Sequence, residues 1–235
     1  MNLSTSPSRI NIAIDGPAGA GKSTVARLVA STLHYIYIDT GAMYRTLTMK
    51  ALEAGLTAED AEQVTRLAER LDITLLPGPE GQRVLADGED VTSHIRSLDV
   101  NRNVSHFAKI EGVRSRMAAL QRLMAQQKGV VMDGRDIGTH VLPDAELKIF
   151  LTASPRVRAE RRFQELGENP GVTLEELERD IAERDRLDEE REIAPLSRAP
   201  DARLVDSDGR TAQEVADEIV QWGQQIARTI SPEEK

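Results

Sequence analysis

An α/β protein with a parallel sheet is predicted from three observations. The apolar, β-branched run Ile10–Asp15 leads straight into a glycine-rich stretch and then into the helically spaced run Val25–Leu33. Four further short apolar runs, 35–38, 129–134, 147–151 and 202–206, alternate with helical patterns, and strands separated by helices make a parallel sheet flanked by helices. Residues 72–92 break that rhythm with Pro-Gly and Asp-Gly turns, which predicts a small antiparallel hairpin or meander inserted in the core at about residues 55–100.

In chain order, residues 1–9 are polar and read as a frayed tail. Strand one and the helix after it fill 10–33, and a short strand at 35–38 ends in Asp39-Thr40-Gly41. A helix from about Ala42 to Ala54 is stopped by Gly55. Thr57–Asp60 has the spacing of a capping box, which predicts a helix to about Leu71. Helical pattern runs from Leu98 to Gln127, with a break expected near Gly112. Ser154 followed by Pro155 opens a helix to about Leu166, and Thr173 with Glu176 caps another to about Glu192. Thr211 with Glu214 caps the last helix, whose stripe Val215, Ile219, Trp222, Ile226 is core packing. Residues 231–235 are a charged tail.

The glycine-rich stretch, Gly16-Pro17-Ala18-Gly19-Ala20-Gly21-Lys22-Ser23-Thr24, fits G-x-x-x-x-G-K-[ST] in its proper strand–turn–helix context. Successive backbone N–H groups converge on one point, and the helix N-terminus adds partial positive charge. Such a cradle holds a nucleoside triphosphate, with Lys22 reaching the β- and γ-phosphates and the Ser23 hydroxyl ligating Mg²⁺. The net charge of −9 disfavours non-specific binding to nucleic acid or an anionic membrane. An anionic substrate must therefore meet a local cluster of cations. The absence of cysteine removes disulfides, thiolate catalysis and Cys-ligated zinc, and the four histidines have no metal spacing. With no signal-like segment and no run of 18 apolar residues, the expectation is a cytoplasmic enzyme.

Arginines supply the cations. Arg158, Arg161 and Arg162 share one helical face after the fourth core strand, as do Arg184, Asp188 and Arg191 on the next helix. Arg135 follows the third strand directly, and Arg45 lies one turn into the helix after Asp39. Each alone reads as a solvated ion pair. Together, at strand ends where α/β sheets bind ligands, they suit phosphoryl transfer, which spreads negative charge over several oxygens.

The blocks Gly16–Thr24, Asp39-Thr40-Gly41-Ala42-Met43-Tyr44-Arg45, Asp133-Gly134-Arg135-Asp136-Ile137-Gly138-Thr139, Pro143-Asp144-Ala145 and Arg184-Asp185 through Ala194-Pro195-Leu196 stand in an order that closely resembles the bacterial cytidylate kinase family, from residue 10 to about 207. The resemblance implies the nucleoside monophosphate kinase fold, with a core of 10–54 and 101–230, a lid at about 155–172, and 55–100 as the monophosphate-binding insert. It implies transfer from ATP to CMP or dCMP with Mg²⁺, in a monomer. Thr40, Arg45, Ser105, Arg114, Asp133, Arg135, Asp136, Arg184, Asp188 and Arg191 would form the CMP site. Within it Arg45, Arg135 and Arg191 would hold the α-phosphate. Arg184 and Asp188 would contact the ribose, and Thr40, Ser105, Arg114 and Asp136 would surround cytosine. Arg158, Arg161 and Arg162 would close over ATP, and the loop 199–202 would lie near adenine. Thr40 stands where some members carry serine, and His140 where a small apolar residue is frequent. An adenylate or shikimate kinase is disfavoured by the Asp-Gly-Arg-Asp block, and a P-loop GTPase by the lack of an Asn-Lys-x-Asp motif. A regulatory ATP-binding protein without turnover would not need arginine at every matched position.

Overall fold

The computed structural model describes residues 8–78, 81–167 and 171–230. In chain order it holds β1 (Ile12–Asp15), α1 (Lys22–Leu33), β2 (Ile36–Asp39), α2 (Thr40–Glu53), α3 (Ala61–Arg70), β3 (Ile73–Gly78), β4 (Gly81–Ala86) and β5 (Glu89–Asp90). There follow α4 (Leu98–Phe107), α5 (Glu111–Ala125), β6 (Val130–Gly134), β7 (Leu147–Thr152), α6 (Pro155–Glu165), α7 (Leu174–Glu189), β8 (Arg203–Asp206) and α8 (Ala212–Ile230). The expected tails 1–9 and 231–235 fall outside the described residues except for Ser8 and Arg9, as do residues 168–170 of the expected lid.

The apolar runs form one parallel sheet in the order β2-β6-β1-β7-β8. β1 lies at its centre, with Ile14 beside Asp133 on one neighbour and Ile149 on the other. Its side chains alternate between two cores. Ile12 and Ile14 pack with α1 and α8, through Val25, Val29, Val215 and Ile219. Ala13 faces the other way, with Met132 and Ile137, towards Ala118 and Ala125 of α5. Burial on both faces explains why β1 reads as a continuous apolar run.

A three-stranded antiparallel sheet, β3-β4-β5, occupies the predicted insert. Its apolar face, including Ile73, Val84 and Ala86, joins a third core with Met43 and Leu47 of α2, Val100 of α4 and Val113 of α5. The insert is therefore buttressed by helices on either side of it in sequence.

Local expectations fail in two places and are refined in a third. Thr57–Asp60 is a turn rather than a helix opening: the Asp60 carboxylate accepts from the Thr57 N–H at 2.8 Å and hydroxyl at 2.9 Å, and α3 begins only at Ala61. The expected break near Gly112 is present, at 108–110, although Gly112 itself sits inside α5. Packing, not helix breaking, explains Gly112, because a Cβ there would lie 2.3 Å from Thr65 Cγ2 of α3. The loop 199–202 precedes β8, so it lies at the amino ends of the strands, where Asp201 pairs with Lys148 at 2.9 Å. In a parallel sheet that is the end away from the ligand side. The expected place near adenine is thereby corrected: the segment after β8, beginning at Ser207, is the one beside the glycine-rich turn.

Candidate active site

Backbone geometry builds one wall. At Gly16, φ is +145° and a Cβ would lie 1.9 Å from the Leu151 carbonyl oxygen, so only glycine lets the turn pass β7. Gly21 caps α1 with φ 88°, the left-handed region. Lys22 is 6% exposed and folds back over the turn, its ammonium donating to the Pro17 carbonyl at 2.7 Å. Burial, and then the positive charge of Arg135, hold its pKa well below the ordinary lysine value.

From the β7–β8 side, α6 supports this turn. Arg158 is buried and donates to the carbonyls of Ala18 at 2.9 Å and Ala153 at 3.0 Å, while pairing with Asp185 at 2.6 Å. Arg161 donates to the Ser207 hydroxyl at 3.0 Å and carbonyl at 2.8 Å. Arg162 pairs with Glu165 at 3.0 Å and is partly exposed, and none of Arg158, Arg161 and Arg162 is among the residues lining the cleft of Lys22 and Arg135.

Asp133, at the end of β6, links this wall to the next. Its carboxylate accepts from the Ser23 hydroxyl and from the Tyr37 phenol, both at 2.9 Å, and its carbonyl accepts from the Thr40 hydroxyl at 2.6 Å. Burial and the nearby Asp39 push its pKa up to about 6. Thr40 has thus committed its proton to backbone, leaving its oxygen lone pairs for any base in the cleft.

Facing the turn is a wall of side chains. Asp188, buried on α7, gathers Arg135 at 2.9 Å, Arg191 at 3.7 Å and the Ser105 hydroxyl at 3.3 Å. Burial alone would raise its pKa, but the charges of Arg135, Arg184 and Arg191 outweigh that and hold it below the usual carboxylate range. Burial and then Arg135 pull the Arg184 guanidinium down to about 10. Arg45 pairs with Asp39 at 3.0 Å. The Nε atoms of Arg45, Arg184 and Arg191 are buried without a hydrogen-bond partner. Such groups are costly unless an acceptor arrives, and an anion would supply it. Deeper in, Arg114 forms a buried ion pair with Asp136 and lies 5.8 Å from the centre of the Tyr44 ring. The segment carrying Asp136 is seated by Asp15, whose carboxylate accepts from the Ile137 and Gly138 N–H groups, both at 2.7 Å. Burial pushes Asp15 up to about 7 despite those two bonds.

A single cleft joins these walls. Its lining includes Lys22 and Ser23 together with all ten residues expected around CMP, from Thr40 to Arg191. A model of the cytidylate kinase family matches residues 12–225. The chain belongs to the cytidylate kinase family. The cytidylate kinase of Geobacillus thermodenitrificans is 53% identical over 214 residues, which cover 91% of this chain and 96% of that one. A bifunctional pantoate ligase/cytidylate kinase from a Synechococcus strain is 52% identical over 230 residues, covering 96% of this chain. The chain spans only 42% of the length of that relative. Among solved structures, an uncharacterized protein from Eubacterium ventriosum is 13% identical with a TM-score of 0.51, covering 92% of this chain and 99% of that one, and shares the fold alone.

For this member of the cytidylate kinase family, the cleft also recruits residues that sequence reading did not place in it. Asp39, at a strand end, can be read from the sequence either as a helix cap or as a site residue, and it is both: it accepts from the Ala42 N–H at 2.8 Å, lines the cleft and holds Arg45. Tyr44, Val104 and Ala108 supply its apolar surface. The signal was available: Tyr44 stands next to Arg45, and Val104 and Ala108 flank Ser105 on the same helical face. Among the described residues no member of β3–β5 lines it.

Proposed function

We propose that this cleft transfers the γ-phosphoryl group of ATP to CMP or dCMP, giving ADP and CDP or dCDP. The carrying observation is the set of buried, unpartnered guanidinium donors on Arg45, Arg184 and Arg191, directly across the cleft from a triphosphate cradle. Within that reading, Gly16 to Thr24 and Lys22 hold the triphosphate. Arg45, Arg135 and Arg191 take the α-phosphate of CMP, with Arg135 and Arg191 also touching the transferred group. Arg184 and Asp188 meet the ribose. The α-phosphate oxygen forms the new bond to γ-phosphorus as the bond to the β–γ bridging oxygen breaks. No general base is needed, because that oxygen is already ionised near neutral pH. Alignment and charge neutralisation do the work, and arginine suits it with a planar fork that stays protonated.

The Ser23 hydroxyl and Asp133 carboxylate, 2.9 Å apart, are hard oxygen donors of the kind Mg²⁺ prefers. Among the described residues no three His, Cys, Asp or Glu side chains cluster to cage a metal, which suits an ion held largely by nucleotide phosphates. When bound, Mg²⁺ supplies charge neutralisation on the transferring phosphate. Arg158 and Arg161 brace the ATP side from α6, and closure of about 155–172 over the nucleotides would exclude water. Segment 55–100 would serve the monophosphate site from behind, as a scaffold for α2 and α4. The chain works as a monomer in the cytoplasm, on small molecules rather than nucleic acid or membrane; among the described residues no helix is long and apolar enough to cross a membrane.

Base choice follows from the buried Arg114–Asp136 pair. Cytosine offers an N4 donor to Asp136 and an N3 acceptor to Arg114, and uracil inverts both. A site built for one pattern leaves buried groups unpaired against the other. The test is ADP release with CMP, dCMP, UMP and AMP as acceptors. CMP and dCMP should be turned over fastest, and Asp136→Asn should cut the preference for CMP over UMP by roughly tenfold or more. Faster turnover of AMP, or an unchanged preference in Asp136→Asn, would overturn the reading.

A further inference from the structure

The hairpin of β3 and β4 makes one contact that the cleft does not account for. β2 is an edge strand, with β6 on one side only. On its open side the Tyr37 carbonyl and the Asp39 N–H point the same way, as groups two residues apart on a strand do. Gln82 of β4 takes both. Its Oε1 accepts from the Asp39 N–H at 3.0 Å, and its Nε2 donates to the Tyr37 carbonyl at 2.6 Å. One side-chain amide therefore stands in for a missing strand at the very end of β2. Arg96, in the 3₁₀ turn His94–Arg96 after β5, approaches the same residue differently, 3.7 Å from Asp39 Oδ2. That oxygen also binds Arg45. The inserted segment thus grips Asp39 by its backbone and by its carboxylate, although its strands do not line the cleft.

We propose that Gln82 is a positioning residue: it fixes the end of β2, hence Asp39, hence the direction in which Arg45 presents its guanidinium to the acceptor phosphate. Without Gln82, the Asp39 N–H and Tyr37 carbonyl turn to water, and the Asp39–Arg45 pair loses one of its anchors. Arg96, which is exposed, steadies the carboxylate less strongly. This inference rests on the reading of the cleft as a CMP kinase site.

Gln82 is half-buried, and Q82M keeps its length while removing both hydrogen bonds. Steady-state kinetics on wild type, Q82M, Arg45→Ala and the double variant provide the test. Loss of the clamp should raise KM for CMP roughly fivefold, the size of one or two net hydrogen bonds, with KM for ATP unchanged. In the Arg45→Ala background Q82M should add nothing, since both act through one residue. Equal rises in both KM values, an additive effect on Arg45→Ala, or no rise at all would overturn the proposal while leaving the kinase reading intact. A wild type that fails to phosphorylate CMP would overturn the kinase reading, and this inference with it.

Discussion

The two walls of the cleft are made of different material. The wall proposed for the triphosphate is backbone: one contiguous turn, Gly16 to Ser23, whose shape depends on absent side chains. The wall proposed for the monophosphate is side chain: Arg45 from α2, Ser105 from α4, Arg114 from α5, Arg135 after β6, and Arg184, Asp188 and Arg191 on and just past α7. A backbone cradle can be carried by eight consecutive residues. A guanidinium cluster exists only once the whole chain has folded, and it stores the cost of burying like charges close together. The lowered pKa of Arg184, caused by burial and Arg135, registers that cost.

The contrast can be broken first at Arg135. If the side-chain wall neutralises the transferring group, Arg135→Ala should lower kcat by about a thousandfold or more, as for other arginines acting on a transferred phosphoryl group. ATP affinity measured by calorimetry should hold, since the backbone wall is untouched. Equal, small changes in kcat and KM would reduce Arg135 to an anchor. Next comes Gly16. A methyl group 1.9 Å from the Leu151 carbonyl oxygen cannot be accommodated without moving the turn. Gly16→Ala should lower the thermal midpoint and abolish ATP binding; a variant that binds ATP as wild type does would show that the turn is not shaped by that close approach. The smallest effect concerns pH. Asp15 holds its proton more tightly in the folded chain, up to about 7 against an ordinary 3.8. The folded state therefore binds more protons across that window, and stability should fall as pH rises through it. Asp133, raised to about 6, adds the same sign, so Asp15→Asn should flatten the slope without removing it. An unchanged slope in chemical denaturation across that range would contradict the raised value.

Legibility in the sequence follows the same divide. The glycine-rich turn and the five strands were readable because each is a contiguous pattern with one physical meaning. The arginines are readable only together, by their helical spacing and their places at strand ends, because a lone Arg45 or Arg184 is indistinguishable from a surface ion pair; which part of a substrate each meets comes only from the family order of the blocks. Gly112 marks the nearby helical break at 108–110 but gives no sign of its packing role, which is set by Thr65, a residue far away in sequence. The Thr57–Asp60 spacing misled because the carboxylate closed a turn on its own threonine instead of opening a helix. The loop 199–202 was misplaced for want of strand direction, which parallel pairing to β7 supplies. Gln82 carried no signal at all: an exposed-looking polar residue after a Pro-Gly turn gives no hint that it completes the edge of another sheet.

The central claim is that these guanidinium groups form an acceptor-phosphate site. Calorimetric titration of CMP against cytidine tests it most directly, since the two ligands differ only in the phosphate. Wild type should bind CMP far more tightly than cytidine, by roughly a hundredfold for two charge-assisted contacts, and Arg45→Ala combined with Arg191→Ala should bring the two affinities close together. Equal binding of CMP and cytidine by the wild type would contradict the account.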